Sequence, residues 1–323
     1  FDDWYLSEDF QTSASDLLSE PIESDSTLYA KWEVKSEMSI FEFNSTATIC
    51  LITGLKDSSI TIITIPEYVT GIGDDAFRDS ASLISIDIPG SVISIGENIL
   101  TGCVSLETMS APFKRDGANN SYLRYYFGAT SYASEEAIPS SLKTIIITSG
   151  DKTIANHAFL NANDIVSITI PNSVTKIYDY AFFGCSSLAT ITFEENSQLD
   201  TIGHMAFRGC SSLTSMTIPE SMEKIGSSAF YNCSSLSDIT IPDSVESIGY
   251  GAFYNCSSLS SIIIPNSLNI IANDLFRNCS NLSNITIPDS IEYIGENAFY
   301  ETLCYTNQPD GVVYGGKGAY SYK

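Results

Sequence analysis

Residues 213–235 read LTSMTIPESMEKIGSSAFYNCSS, and residues 236–258 read LSDITIPDSVESIGYGAFYNCSS. Two further copies follow, LSSIIIPNSLNIIANDLFRNCSN at 259–281 and LSNITIPDSIEYIGENAFYETLC at 282–304. Their leading residues Leu213, Leu236, Leu259 and Leu282 are 23 apart. Towards the N-terminus the same slot is held by Leu188, Ile165 and Leu142, then by Leu106, Leu83 and Ile60. Two intervals depart from the period. Leu188 to Leu213 is 25, because two residues swell the turn between Glu194 and Leu199, and Leu106 to Leu142 is 36, a net insertion of 13. Ten units result, with the consensus L-x-x-I-x-I-P-x-S-V-x-x-I-G-x-x-A-F-x-x-C-x-x.

Each part of the unit has a physical reading. L-x-x-I-x-I ends in alternating β-branched residues, the period of a strand. Proline closes eight of these strands (Pro66, Pro89, Pro112, Pro171, Pro219, Pro242, Pro265 and Pro288), since it donates no ladder bond. V-x-x-I-G is a second short extended piece. Gly73, Gly96, Gly203, Gly226, Gly249 and Gly295 are expected to supply a positive-φ turn there. The x-x-A-F-x-x-C stretch is too short for an ordinary helix and fits one helical or 3₁₀ turn. One unit cannot bury its own Leu, Ile, Val and Phe; stacked on its neighbours it can. The predicted fold is a β-rich repeat solenoid of 23-residue units, with a parallel sheet and short helical or 3₁₀ turns.

This consensus resembles the BspA-type leucine-rich repeat family over about Ile60 to Tyr300. The insert 113–141, ending AIPSSLKTIIITSG as the pattern resumes, and the tail NQPDGVVYGGKGAYSYK also resemble segments of that family. Residues 1–32, FDDWYLSEDF…SDSTLYAKW, resemble the C-terminal part of a Listeria–Bacteroides repeat, a small β-rich surface module. The expected organisation is therefore a module fragment at 1–33, a cap at 34–59, the solenoid at 60–300 and a closing segment at 301–323. The cap covers a sheet edge that would otherwise pair with other chains.

Composition narrows the function. Apolar residues are 43% and charged residues 17%, enough for a large core and unlike a disordered chain. Fifteen Lys plus Arg stand against 39 Asp plus Glu, a net charge of -24. Such a chain repels phosphate backbones and anionic lipid, so neither nucleic acid nor membrane insertion is expected. No run of eighteen apolar residues occurs. The chain opens at Phe1 and reads as a piece of a longer protein, with any export signal or anchor outside it.

The motifs that suggest chemistry are better explained by the repeat. Cys103, Cys185, Cys210, Cys233, Cys256 and Cys279 share one slot and are expected to form a ladder of buried free thiols. Cys50 and Cys304 lie outside that slot and are expected unpaired as well. GIGDDA at 71–76 has the letters of a dinucleotide fingerprint but no long helix after it. GVVYGGKG at 311–318 has Gly318 where a phosphate loop needs Ser or Thr. His157 and His204 read as exposed loop residues without a catalytic partner, and the acidic pairs Asp74–Asp75, Glu135–Glu136 and Glu194–Glu195 as a solvating surface. Sequons such as Asn232, Asn255 and Asn278 follow from the consensus. No catalytic residue, metal site or cofactor is expected.

Two features remain as ligand-binding candidates. The slot after the Phe of A-F holds Arg78, Leu160, Phe183, Arg208, Tyr231, Tyr254, Arg277 and Tyr300. A core slot would not accept Arg three times, and Arg with aromatics is the composition of interaction hot spots. The competing reading is that flat side chains shield the turn, with Arg stacked on neighbouring rings. The second candidate is the insert, with Lys114, Arg115, Tyr122, Arg124, Tyr125, Tyr126, Phe127 and Tyr132. Long loops are often functional, but Tyr125–Tyr126–Phe127 also suits a plug over the sheet. The resemblance implies a non-enzymatic, secreted or wall-attached bacterial protein that binds a host or microbial surface protein or glycan. The alternative is a structural spacer presenting another domain.

Overall fold

The computed structural model describes residues 3–5, 29–31, 39–45, 50–113, 122–131, 138–148, 150–306, 312–315 and 318–321. The chain forms two compact units, Phe1–Phe41 and Glu42–Lys323. In the first, Asp3–Tyr5 pairs antiparallel with Tyr29–Lys31. Most of the proposed Listeria–Bacteroides segment lies outside the described residues, as do Lys114, Arg115 and Tyr132 of the insert and much of the closing segment.

The second unit holds the array. A first ladder of parallel strands runs Ile62–Thr64, Ser85–Asp87, Thr108–Ala111, Thr144–Ile147, Ser167–Ile170 and Thr190–Phe193. It resumes as the pairs Ser215–Thr217 with Asp238–Thr240 and Ser261–Ile263 with Asn284–Thr286. Thr144 faces Ser167 on one side and Thr108 on the other, so the strand register carries straight across the insertion. A second ladder is built from two-residue strands, including Thr153–Ile154, Lys176–Ile177, Thr201–Ile202, Lys224–Ile225 and Ser247–Ile248. Cys50–Leu55 pairs parallel with Gly71–Ile72 ahead of the repeats. The three-residue strands of the first ladder point their middle side chain inward, as Ile63, Ile86 and Met216 do, and a four-residue strand such as Thr144–Ile147 buries two, Ile145 and Ile147, while Thr217 and Thr240 face water.

Between units eight and nine neither ladder carries a registered strand pair. The backbone bonds there lie on the turn side: Gly251 N–H to Asn273 O at 3.1 Å, Phe253 N–H to Leu275 O at 3.0 Å and Asn255 N–H to Arg277 O at 2.8 Å.

The A-F-x-x-C stretch is a tight double turn. Tyr231 N–H bonds Ser228 O and Cys233 N–H bonds Phe230 O, both i to i−3. Its core is a stack of rings. Phe159, Phe182, Phe207, Phe230, Phe253, Phe276 and Phe299 lie face to face, from 5.0 Å apart at Phe159–Phe182 to 5.8 Å at Phe276–Phe299, tilted by no more than 9°. All seven are buried, each worth roughly 1.5–3 kcal/mol of transfer free energy. Beside them runs the thiol ladder. Each buried Cys Sγ donates to the carbonyl of a Phe one unit back, as Cys185 to Phe159 O at 3.0 Å and Cys279 to Phe253 O at 3.0 Å. All eight cysteines are free thiols.

The glycine expectation needs correction. Gly73, Gly96, Gly203, Gly226, Gly249 and Gly295 do not have positive φ. The last five are small because the previous coil is close: a Cβ on Gly226 would sit 2.5 Å from Gly203 C, and one on Gly249 2.4 Å from Ser227 N. The left-handed residues stand two positions later (Asp75, Asn98, His157, Tyr180, Met205, Ser228, Gly251, Asp274 and Asn297) and again before the cysteine slot, at Gly184, Gly209, Asn232, Asn255 and Asn278. Asn, Asp and Gly tolerate that region best, which explains the N-C letters of the repeat.

Candidate functional site

The slot after the stacked Phe sits on the outer side of each turn. Its residues form one continuous ribbon. The Arg208 guanidinium carbon lies 5.8 Å from the centre of the Phe183 ring and 4.3 Å from that of Tyr231. Tyr231 stacks on Tyr254 at 4.6 Å with a 12° tilt. Arg277 lies 5.7 Å from Tyr254 and 5.1 Å from Tyr300, and Tyr300 meets Tyr305 at 6.1 Å. These side chains are half-buried, apart from Tyr300, which is 38% exposed. The ring faces are used up by neighbours, so phenol oxygens and guanidinium N–H groups make up the outer edge. An amide row runs alongside: Asn255 Nδ2 donates to Asn232 Oδ1 at 2.9 Å, and Asn278 Nδ2 to the Tyr254 hydroxyl at 3.5 Å.

Arg78 lies at the other end of the array and outside this ribbon. It is exposed and paired with Asp75 at 3.0 Å. Arg277 makes the same pair with Asp274 at 3.1 Å. In each case the hydrogen bond to the aspartate, above all, holds the guanidinium pKa above its ordinary value. The neighbouring Asp274 also raises the pKa of the Tyr250 hydroxyl.

The insert divides. Leu123–Phe127 is a 3₁₀ helix closed by Gly128 in the left-handed region. It fills the turn that the third unit lacks: Leu100 N–H bonds Tyr126 O at 2.8 Å on one side, and Leu123 N–H bonds Ala158 O at 2.7 Å on the other. Tyr125, Tyr126 and Phe127 are buried, Tyr126 completely. The Tyr126 hydroxyl donates to Pro112 O, and its ring packs 5.6 Å from Phe113. As ligand-binding candidates these three are corrected: they are core, because the neighbouring coils would otherwise lose a turn's worth of packing. Tyr122 and Arg124 stay half-buried at its margin, with Arg124 Nη2 3.4 Å from Asn161 O.

The sequence reading missed two features. His157 and His204 are half-buried and converge on Tyr180, His157 stacked on its ring at 5.1 Å and 4°, and His204 edge-on at 5.4 Å. Burial lowers the His157 pKa against the opposing pull of Asp179. A groove of about 660 Å³ also opens on the strand side where the swollen turn of unit six meets unit seven, lined by Phe193, Glu194, Pro219 and Glu220 among others. The two-residue swelling was visible in the letters, but the groove it leaves was not. Among the described residues no group of three His, Cys, Asp or Glu is placed to hold a metal, and no helix is long and apolar enough to cross a membrane.

The family model for the BspA type leucine rich repeat region matches the chain in six copies, over residues 52–145, 130–259 and 200–321. The fold and its repeating turn therefore define a leucine-rich repeat solenoid. The chain belongs to the BspA-type leucine-rich repeat family. Among solved structures it is similar to a leucine-rich repeat protein from Eubacterium ventriosum, 19% identical, covering 86% of this chain and 99% of that one with a TM-score of 0.49. It is also similar to a leucine rich cell surface protein from Faecalibacterium prausnitzii, 22% identical over 82% of this chain and 91% of that one, TM-score 0.33. A leucine-rich repeat protein from Bacteroides ovatus is 22% identical over 85% and 93%, TM-score 0.31. A search of curated proteins found no match.

Proposed function

We propose that this chain is a non-enzymatic recognition protein of a bacterial surface, secreted or wall-attached, that binds a protein or glycan of a host or neighbouring microbe along the ribbon from Phe183 to Tyr300. The observation that carries this reading is the ribbon itself. Six units place Arg or a ring at one height on a rigid scaffold, with polar edges outward. Side chains already fixed by stacking lose little freedom on binding, which leaves more of the contact energy as affinity. A few such anchors, repeated, suit shallow multivalent contacts. The surrounding acidity favours partners with basic patches and makes binding weaken with salt.

The second reading is a spacer that holds another domain away from the cell wall. It is favoured by the same stacking, because Arg208 and Arg277 already have partners in the ribbon. Binding of the purified chain to host cells, extracellular matrix and a glycan array separates the two. The Tyr231→Ala/Tyr254→Ala/Arg277→Ala variant is expected to lose that binding while keeping a cooperative melt. Unchanged binding, with Tyr122→Ala/Arg124→Ala also silent, would establish the spacer.

A further inference from the structure

Three units place arginine in the ribbon slot, and in each the residue three positions earlier is left-handed: Asp75 before Arg78, Met205 before Arg208 and Asp274 before Arg277. Two of the three are carboxylates, and both are used. Arg78 Nη1 meets Asp75 at 3.0 Å and Arg277 Nη1 meets Asp274 at 3.1 Å. At the third position Arg208 Nη1 finds only the Met205 sulfur at 3.5 Å, a weak acceptor. Among the described residues no carboxylate comes within ion-pair reach of Arg208. That runs against the composition, since 39 acidic residues face 15 basic ones.

The guanidinium is nevertheless held in place. Phe183 and Tyr231 cover its two faces, leaving the N–H edge for other partners. A planar fork with that edge open matches a carboxylate, which can take two parallel bonds from it. Beyond Phe183 stands Tyr180, 5.8 Å from the Phe183 ring and met edge-on by His204 at 5.4 Å. The Asp179 Oδ1 accepts from the backbone N–H of His204 at 2.8 Å.

We infer that Arg208 anchors a carboxylate side chain presented by an extended segment of a partner protein. This rests on the recognition reading above and narrows it. A peptide suits the ribbon better than a sugar. The ring faces on which a pyranose would stack are covered, with Tyr231 lying 4.6 Å from Tyr254, and what remains is a line of hydroxyl, amide and guanidinium edges. The net charge of -24 repels a uniformly acidic ligand, so the carboxylate is flanked by neutral or basic residues.

The test uses the whole chain and calorimetric titration with the acetylated, amidated peptide KGEYGK, its glutamine counterpart KGQYGK, and sialyllactose. KGEYGK is expected to bind saturably and KGQYGK at least about tenfold more weakly, as loss of a charge-assisted pair demands. Met205→Asp gives Arg208 the internal partner that Arg78 and Arg277 have. It should cut KGEYGK affinity by a similar factor while the melting temperature holds or rises, since Asp tolerates the left-handed region better than Met. Asp274→Asn should release Arg277 and add a second binding event. Equal affinity for the two peptides, unchanged binding in Met205→Asp, or binding of sialyllactose alone would overturn the inference. The cell-surface assay separates this proposal from the broader one. Loss in both Met205→Asp and the Tyr231→Ala/Tyr254→Ala/Arg277→Ala variant supports the anchor. Loss in the ribbon variant alone keeps recognition and removes the anchor, and binding retained in both removes the two together.

Discussion

Cys233 Sγ lies 3.2 Å from the carbonyl oxygen of Phe207, the residue that packs under it one coil back. The same bond recurs at five other units, from Cys103 on Phe77 to Cys279 on Phe253. The slot thus takes a small side chain, a thiol donor at six units and the donor-free Ala162 in the fourth. At either end of the array it is filled by Ser80 and Thr302, both buried, and Thr302 Oγ1 donates to Phe299 O at 2.6 Å.

These thiols should be inert. Burial pushes Cys103 up to about 11 and Cys185 up to about 12, and drives Cys210, Cys233 and Cys256 up as well. Native protein at neutral pH is expected to react quickly with a thiol reagent only at the half-buried Cys50 and Cys304, and denatured protein at all eight positions. The stability consequence follows from linkage. A thiol whose pKa is raised by folding stays protonated in the native state while the unfolded chain ionises. Stability is therefore full below the unfolded value of 9.0 and falls as pH climbs through the folded values. Each such thiol removes about 1.4 kcal/mol per pH unit in that window. Thermal melts from pH 8 upward measure the decline; a flat profile would contradict the buried ladder.

Arg208 and Tyr231 should be coupled. With the guanidinium 4.3 Å from the ring centre and half in water, a double-mutant cycle of Arg208→Ala and Tyr231→Ala is expected to give about 0.5–1 kcal/mol of interaction energy. Denaturant unfolding measures it, and additivity of the two single changes would remove the ribbon as a physical unit.

Two glycines six residues or fewer from a ribbon tyrosine should respond in opposite degree to the same change. Gly249→Ala drives a Cβ to 2.4 Å from Ser227 N, a backbone clash costing about 1–3 kcal/mol or more. Gly251→Ala meets nothing closer than 3.7 Å and carries only the left-handed penalty of φ +56, about 1–2 kcal/mol. Asn255→Gly should be nearly neutral, because Gly184 and Gly209 already serve that slot. Unfolding midpoints rank the three.

Tyr126→Ala should act on stability rather than on binding alone. It removes a fully buried ring and the bond to Pro112, a loss of about 3–5 kcal/mol. Tyr122→Ala, at the half-buried margin, should cost far less. Equal melting temperatures for the two would return the insert to the list of free surfaces.

Much of this fold could be read from the letters because the unit repeats. A residue type that returns every 23 positions reveals its environment: Leu236 and Phe230 are core, Thr240 is outward, and Cys233 is a buried thiol. Three things escaped that logic. Gly226 and Gly251 are the same letter, but one is small for the sake of the coil beneath and the other for its own φ. Tyr125–Tyr126–Phe127 occurs once, and aromatic composition is alike in a plug and in a binding patch. The missing partner of Arg208 is a tertiary fact, visible only once Met205 is seen where Asp75 and Asp274 stand in the other coils.

The junction between units eight and nine has a consequence for load. Force applied along the array passes through paired strands at most coils, but here it falls on three turn-side backbone bonds, on side-chain bonds such as Asn266 N–H to Asp243 Oδ1 and Cys279 Sγ to Phe253 O, and on the contact of Phe253 with Phe276. Such a place yields first. The last two coils are then expected to detach before the coils that carry Arg208 are disturbed, and the ribbon parts first between Tyr254 and Arg277.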